Sequence, residues 1–180
     1  MLGTAAGLAA LIASATACGA VAPSHSADAA ESDRPISGVA TFANLSRDHV
    51  PGAVAYDQVP PVGGAHSGVT LQNCGFYSSS VQDEYAVHSL EHGAVWINYA
   101  ADLPEDQVEI LQRLAHSGTH VLVSPYADLP SAVVASAWGL QLRLESAADQ
   151  RLEQFVAKYA QGPQTPEPGA PCSGGAGNPG

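Results

Sequence analysis

The densest chemistry in the chain lies between Glu84 and Gly93, EYAVHSLEHG. His88 and His92 stand four positions apart, so a helical turn places both imidazoles on one face, with Glu84 one turn ahead and Glu91 between them. Two imidazoles on one face make half of a transition-metal site, because zinc, copper and nickel all accept imidazole and carboxylate donors. Read as HxxEH, the same residues match the inverted zinc-protease pattern, in which the two histidines hold zinc and the glutamate activates water. A third alternative has no metal: the side chains form a buried hydrogen-bond network in a structural or partner-binding module.

These groups need a rigid frame, and the residues after them supply one. Val95, Ile97 and Tyr99 alternate with Ala94, Trp96 and Asn98, the period of two that marks a strand. An amphipathic helix is expected from Pro104 to His116, with Val108, Leu111 and Ala115 on its apolar face. Glu105, Asp106 and Glu109 load its positive end, and Gly118 stops it. A buried strand follows over 120–126 (HVLVSPY), then a turn, then a third strand with Val134, Trp138, Leu140, Leu142 and Leu144 on one face. Ser146 and Asp149 resemble a capping box, and Ala148, Leu152, Phe155 and Tyr159 form the stripe of a second helix closed by Gly162-Pro163. The expected fold class is therefore α+β: a small mixed sheet in the order β-α-β-β-α, helices on one face. The first two strands should be parallel through a right-handed crossover and the next pair antiparallel. Pro51-Gly52, Pro60-Pro61 and Gly63-Gly64 make the preceding segment, residues 35–80, an ordered but loop-rich one.

Residues 5–17 (AAGLAALIASATA) are apolar and small, too short for the roughly 20 residues of a membrane-spanning helix, and they run into Cys18. Residues 1–17 read as a lipoprotein signal peptide with Cys18 as the lipidation site. The alternative is an ordinary secretory leader. No Lys or Arg precedes the apolar stretch, which leaves open a start upstream of Met1. Residues 18–34, rich in Ala, Ser and acidic side chains, read as a disordered tether, leaving 35–180 as a single extracytoplasmic domain with a Pro/Gly-rich C-terminal tail. The expected location is the outer face of the cell membrane, lipid-anchored, or the medium. With Cys18 modified, Cys74 and Cys172 remain, and an oxidising compartment pairs them. The rival role for Cys74 is that of a soft metal ligand. The formal net charge of -11 repels phosphate backbones and argues against nucleic-acid partners. The membrane, through the anchor, is the one partner the sequence names.

Further motifs run through the chain: His49-Val50, Tyr56, Pro60-Pro61 with Gly63-Gly64-Ala65-His66, Gly75-Phe76-Tyr77, and Glu84 with VHSLEHG and Tyr99. Together they resemble the bacterial and archaeal domain-of-unknown-function family numbered three thousand one hundred and five (DUF3105), over most of the chain beyond residue 38. NCGFY, LVSPY, ASAWG and TPEPGAPC look closest to its actinobacterial branch. Gly63-Gly64 stands where the common pattern has Ser-Gly, a small change that keeps the turn feasible. The resemblance implies the domain and no particular activity, but it selects among the seven histidines. His49, His66, His88 and His92 fall in motif positions, His25 lies in the tether, and His116 and His120 flank a helix–strand turn. The expected ligands are His66, His88 and His92, with Glu91 beside them and His49 as the fourth imidazole. The expected ion is divalent, copper or zinc. Met1 is the only methionine, which argues against a thioether Cu(I) carrier. If the site is instead a hydrolase, Glu91 is its general base.

Overall fold

The strand read at Val95–Tyr99 is the centre of the molecule, and all five of its residues are buried. A computed structural model describes residues 1–3 and 34–180. The expected leader beyond residue 3, Cys18, and the tether up to residue 33, His25 included, lie outside the described residues. Residues Pro35–Gly180 form one compact unit.

Nine elements are found among the described residues: β1 (Ala40–Thr41), β2 (Gly75–Phe76), α1 (Asp83–Glu91), β3 (Val95–Tyr99), α2 (Glu105–Ser117), β4 (Val121–Pro125), β5 (Val133–Ala137), β6 (Leu140–Leu144) and α3 (Gln150–Tyr159). The strands form one mixed sheet in the order β1-β6-β5-β3-β4-β2, so the fold is α+β as expected. β3 and β4 are parallel, Trp96 opposite Leu122, with α2 as the crossover. β5 is antiparallel to β3 and β6 antiparallel to β5.

Two details of the expected order change. The long third strand is a hairpin, broken at Gly139, whose φ of 72° suits glycine. Folding back at that point puts Val133, Ala135, Ala137, Leu142 and Leu144 in one core, whereas Val134 and Trp138 are not part of it. On the side of β5 away from β6, the antiparallel neighbour is β3, not β4.

The helices also differ from expectation, because they cover both faces of the sheet. Leu111 and Ala115 of α2, with Leu152 and Phe155 of α3, pack on the face carrying Val95, Ile97 and Tyr99. Ala86 and Leu90 of α1 pack on the opposite face against Trp96 and Leu122. A central strand apolar on both sides needs cover on both sides. Trp96 and Leu90 are fully buried, and each such side chain stabilises the fold by about 1.5–3 kcal/mol. The α3 cap shifts too: Asp149, not Ser146, accepts from the Arg151 amide, and Ala147 rather than Ala148 is the buried alanine. No helix among the described residues is long and apolar enough to cross a membrane.

The sheet leaves α1 projecting its C-terminal turn toward two loops, and both are stapled in place. The 60s loop docks on the hairpin through Gln141 Nε2 donating to the Pro60 carbonyl (3.0 Å) and Gly139 N to the Val62 carbonyl (2.7 Å). Gly63, at φ 140°, lies so close to Leu45 and Trp138 that a Cβ would meet Leu45 Cδ1 at 2.8 Å. The 40s loop joins the 60s loop by a parallel bridge, Val50 N to the His66 carbonyl (2.8 Å) and His66 N to the Asp48 carbonyl (3.0 Å). Cys74 and Cys172 form a disulfide across 98 residues, which fixes the C-terminal tail to the body.

Candidate metal centre

Glu91 closes the last turn of α1 and is almost fully buried, which is costly for a carboxylate unless partners compensate. It has three. Arg47 Nε donates to Oε1 at 3.1 Å, while the Nε2 atoms of His66 and His49 lie 2.9 Å and 3.3 Å from Oε2. Burial alone would raise the Glu91 pKa, but the Arg47 hydrogen bond and the two imidazoles outweigh it and hold the carboxyl below its ordinary value. The bridge between the 40s and 60s loops brings His49 to the fully buried His66, and α1 supplies the acid beneath them.

The tautomer of His66 decides what this arrangement can do. Its Nδ1 lies 2.8 Å from the Gly64 carbonyl, and a carbonyl only accepts, so Nδ1 carries the proton. In the neutral ring Nε2 is then a bare lone pair, facing a carboxylate oxygen at 2.9 Å. Two acceptors at that distance require a positive charge between or upon them: a second ring proton, or a metal ion. A backbone carbonyl on Nδ1 with Nε2 turned inward is also how ligating histidines are oriented.

One ligand atom from each of His49, His66 and Glu91 lies within 4.8 Å of the others. Around an ion with bonds of about 2.0–2.2 Å, neighbouring tetrahedral donors stand roughly 3.3–3.5 Å apart, so the 2.9 and 3.3 Å contacts need open only slightly. The donor set of two imidazoles and a carboxylate thus fits a divalent transition ion.

His88 adjoins this trio, its ring centroid 5.3 Å from that of His66 and 5.7 Å from that of His49. Its Nδ1 is buried without a hydrogen-bond partner. Burial lowers its pKa, helped by His92 and His66 and opposed by a hydrogen bond with the Thr70 backbone and by the Glu91 charge. His92 stands apart from the trio: it caps α1, touches the ring of His88 at 4.6 Å, and directs Nδ1 to the Pro171 carbonyl at 2.7 Å. Of the expected set, the structure groups His49, His66 and Glu91, with His88 alongside and His92 one ring farther out. Glu84 is also elsewhere, its Oε1 accepting from the Val54 amide at 2.8 Å. His116 and His120 bond to the carbonyls of Gly180 and Ala170. Cys74, in its disulfide, is no metal ligand.

Two charged residues join the site beyond those the motifs single out. Arg47 precedes His49 by two positions in a chain with only six basic side chains, a signal that was available. Glu167 approaches His92 and Arg47 from the tail, and only its position near Cys172 hinted at that.

The family model described as "Protein of unknown function (DUF3105)" matches residues 49–174. The chain belongs to the DUF3105 family. The DUF3105 match opens on His49 and runs past Cys172, so it spans the trio, His88, His92, Glu167 and both cysteines. No curated protein and no solved structure matches the chain.

Proposed function

We propose that this DUF3105 domain binds a divalent transition metal, copper or zinc, through His49 Nε2, His66 Nε2 and Glu91, with His88 Nδ1 as a further donor. The observation that carries the reading is the buried His66, whose Nδ1 proton is fixed by the Gly64 carbonyl and whose Nε2 is held against Glu91. Imidazole with carboxylate suits Cu(II) and Zn(II), and the absence of methionine beyond Met1 disfavours Cu(I). We further propose that the chain is exported and lipid-anchored at Cys18 on the outer face of the cell membrane. The Cys74–Cys172 disulfide supports export, because such bonds persist in oxidising compartments. His88→Ala and His66→Ala should each lower the metal content of untagged protein by elemental analysis, and Cys18→Ser should move the protein from the membrane fraction to the medium.

Of the other readings, the metal-free network is favoured by one observation: the Arg47 guanidinium already neutralises Oε1 of Glu91. A protein free of metal and fully stable would establish that reading. The hydrolase reading is weakened, because the oxygens of Glu91 are engaged by Arg47, His49 and His66 rather than free beside His88 and His92.

A further inference from the structure

The tautomer arrangement of His66 and Glu91 occurs a second time, farther out. His92 Nδ1 lies 2.7 Å from the Pro171 carbonyl, so in the neutral ring the lone pair sits on Nε2. That atom faces Glu167 Oε2 at 3.5 Å. Glu167 is nearly half exposed, whereas His66 and Glu91 are both shielded and the inner trio meets solvent only at His49. The two carboxylates share a cation: Arg47 binds Glu91 Oε1 at 3.1 Å and reaches Glu167 Oε1 at 4.0 Å. The two imidazole groups share a neighbour as well, since the His88 ring touches those of His92 (4.6 Å) and His66 (5.3 Å) and leaves a buried Nδ1 without a partner.

We propose that His92 Nε2 and Glu167 form a second, outer cation position, from which a divalent ion passes by way of His88 Nδ1 to His49, His66 and Glu91. This rests on the inner site proposed above and adds its route of entry. The tail that carries Glu167 is held there by the amide of Glu167 donating to the Glu91 carbonyl (3.0 Å) and by the disulfide at Cys172. The outer position is thus a built part of the fold. With two protein ligands and water completing its shell it binds more weakly than the inner position, as an entry station must if the ion is to move on. An incoming ion at Glu167 displaces only the long Arg47 contact, an exposed pair that contributes little.

The test is Glu167→Gln in the full, untagged, disulfide-bonded chain, a change at an exposed side chain that leaves the fold intact. Cu(II) alone is the probe. Trp138 packs edge-on against His66 at 5.9 Å, so loading of the inner position dominates the quenching of tryptophan fluorescence. The expected result is one equivalent of Cu(II) fewer at saturation and inner loading slowed by about tenfold, with the final quench unchanged. Equal stoichiometry and equal loading rates in the two proteins would overturn the outer position while leaving the inner site standing. Should neither protein bind Cu(II) or show quenching, the inner site itself fails, and the outer position with it.

Discussion

Replacing Glu91 with glutamine separates a carboxylate that holds a metal from one that merely pairs with its neighbours. In the metal-free domain the cost follows from exposure. Arg47 and His49 have side chains 52% and 50% exposed, so their pairs with Glu91 are each worth about 0–1 kcal/mol. The His66 contact is fully shielded, and a charge-assisted bond there is worth about 1.5–3 kcal/mol. Glutamine keeps the shape, and its amide oxygen can accept from a protonated His66 Nε2, recovering part of that. The net loss is about 1–2 kcal/mol, or roughly 2–8 °C in Tm for a domain of this size. With metal the two proteins diverge. At free zinc about a hundredfold above Kd, binding to the native state adds about 2.7 kcal/mol, which raises Tm by roughly 5–11 °C. Glu91→Gln should show no such rise at the same zinc concentration. The assay is scanning calorimetry of untagged, chelator-treated protein with and without zinc. An equal zinc-induced rise in the variant would refute the reasoning, since the ion would then be held elsewhere.

Two further perturbations test the frame around the site. Cys74→Ser removes a cross-link closing 98 residues, so urea unfolding under oxidising conditions should show a loss of about 4–5 kcal/mol; a loss under about 1 kcal/mol would mean that the tail is held by its other contacts. Asp83 has its pKa raised, by burial first and by Glu84, against the stabilising hydrogen bond from Tyr126. A raised carboxyl pKa favours the fold below the unfolded value near 3.8 and loses that benefit as pH rises through the folded value. Asp83→Asn should therefore stabilise the domain at pH 7 and change little at pH 3, as thermal unfolding at both values will show. Destabilisation at pH 7 would give the α1 dipole the larger part.

Much of the frame was legible because its elements are long and regular. The alternation at Val95–Tyr99 and the Val108, Leu111, Ala115 stripe each repeat enough to fix a period, and both elements form where expected. The hairpin was not legible, since one glycine after an apolar run reads equally as a strand interior, and only the φ of Gly139 reveals the turn. The second helical layer was hinted at by Trp96, a large side chain on the face of β3 left uncovered by α2 and α3. At the site, residue types were readable and convergence was not. His49 and His66 meet through a two-residue backbone bridge between irregular loops, which leaves no periodic trace. His92 lay in the same helical pattern as His88, yet the Pro171 carbonyl, brought by a disulfide-bound tail, turns it outward.

The central claim, that His49, His66 and Glu91 hold one ion, is tested most directly by anomalous diffraction at the zinc edge from crystals of the untagged domain grown with zinc. The account predicts a peak about 2.0–2.2 Å from His49 Nε2, His66 Nε2 and a Glu91 oxygen. Crystals whose anomalous peaks lie only at surface histidines such as His116, with His66 and Glu91 still in direct contact, would contradict it.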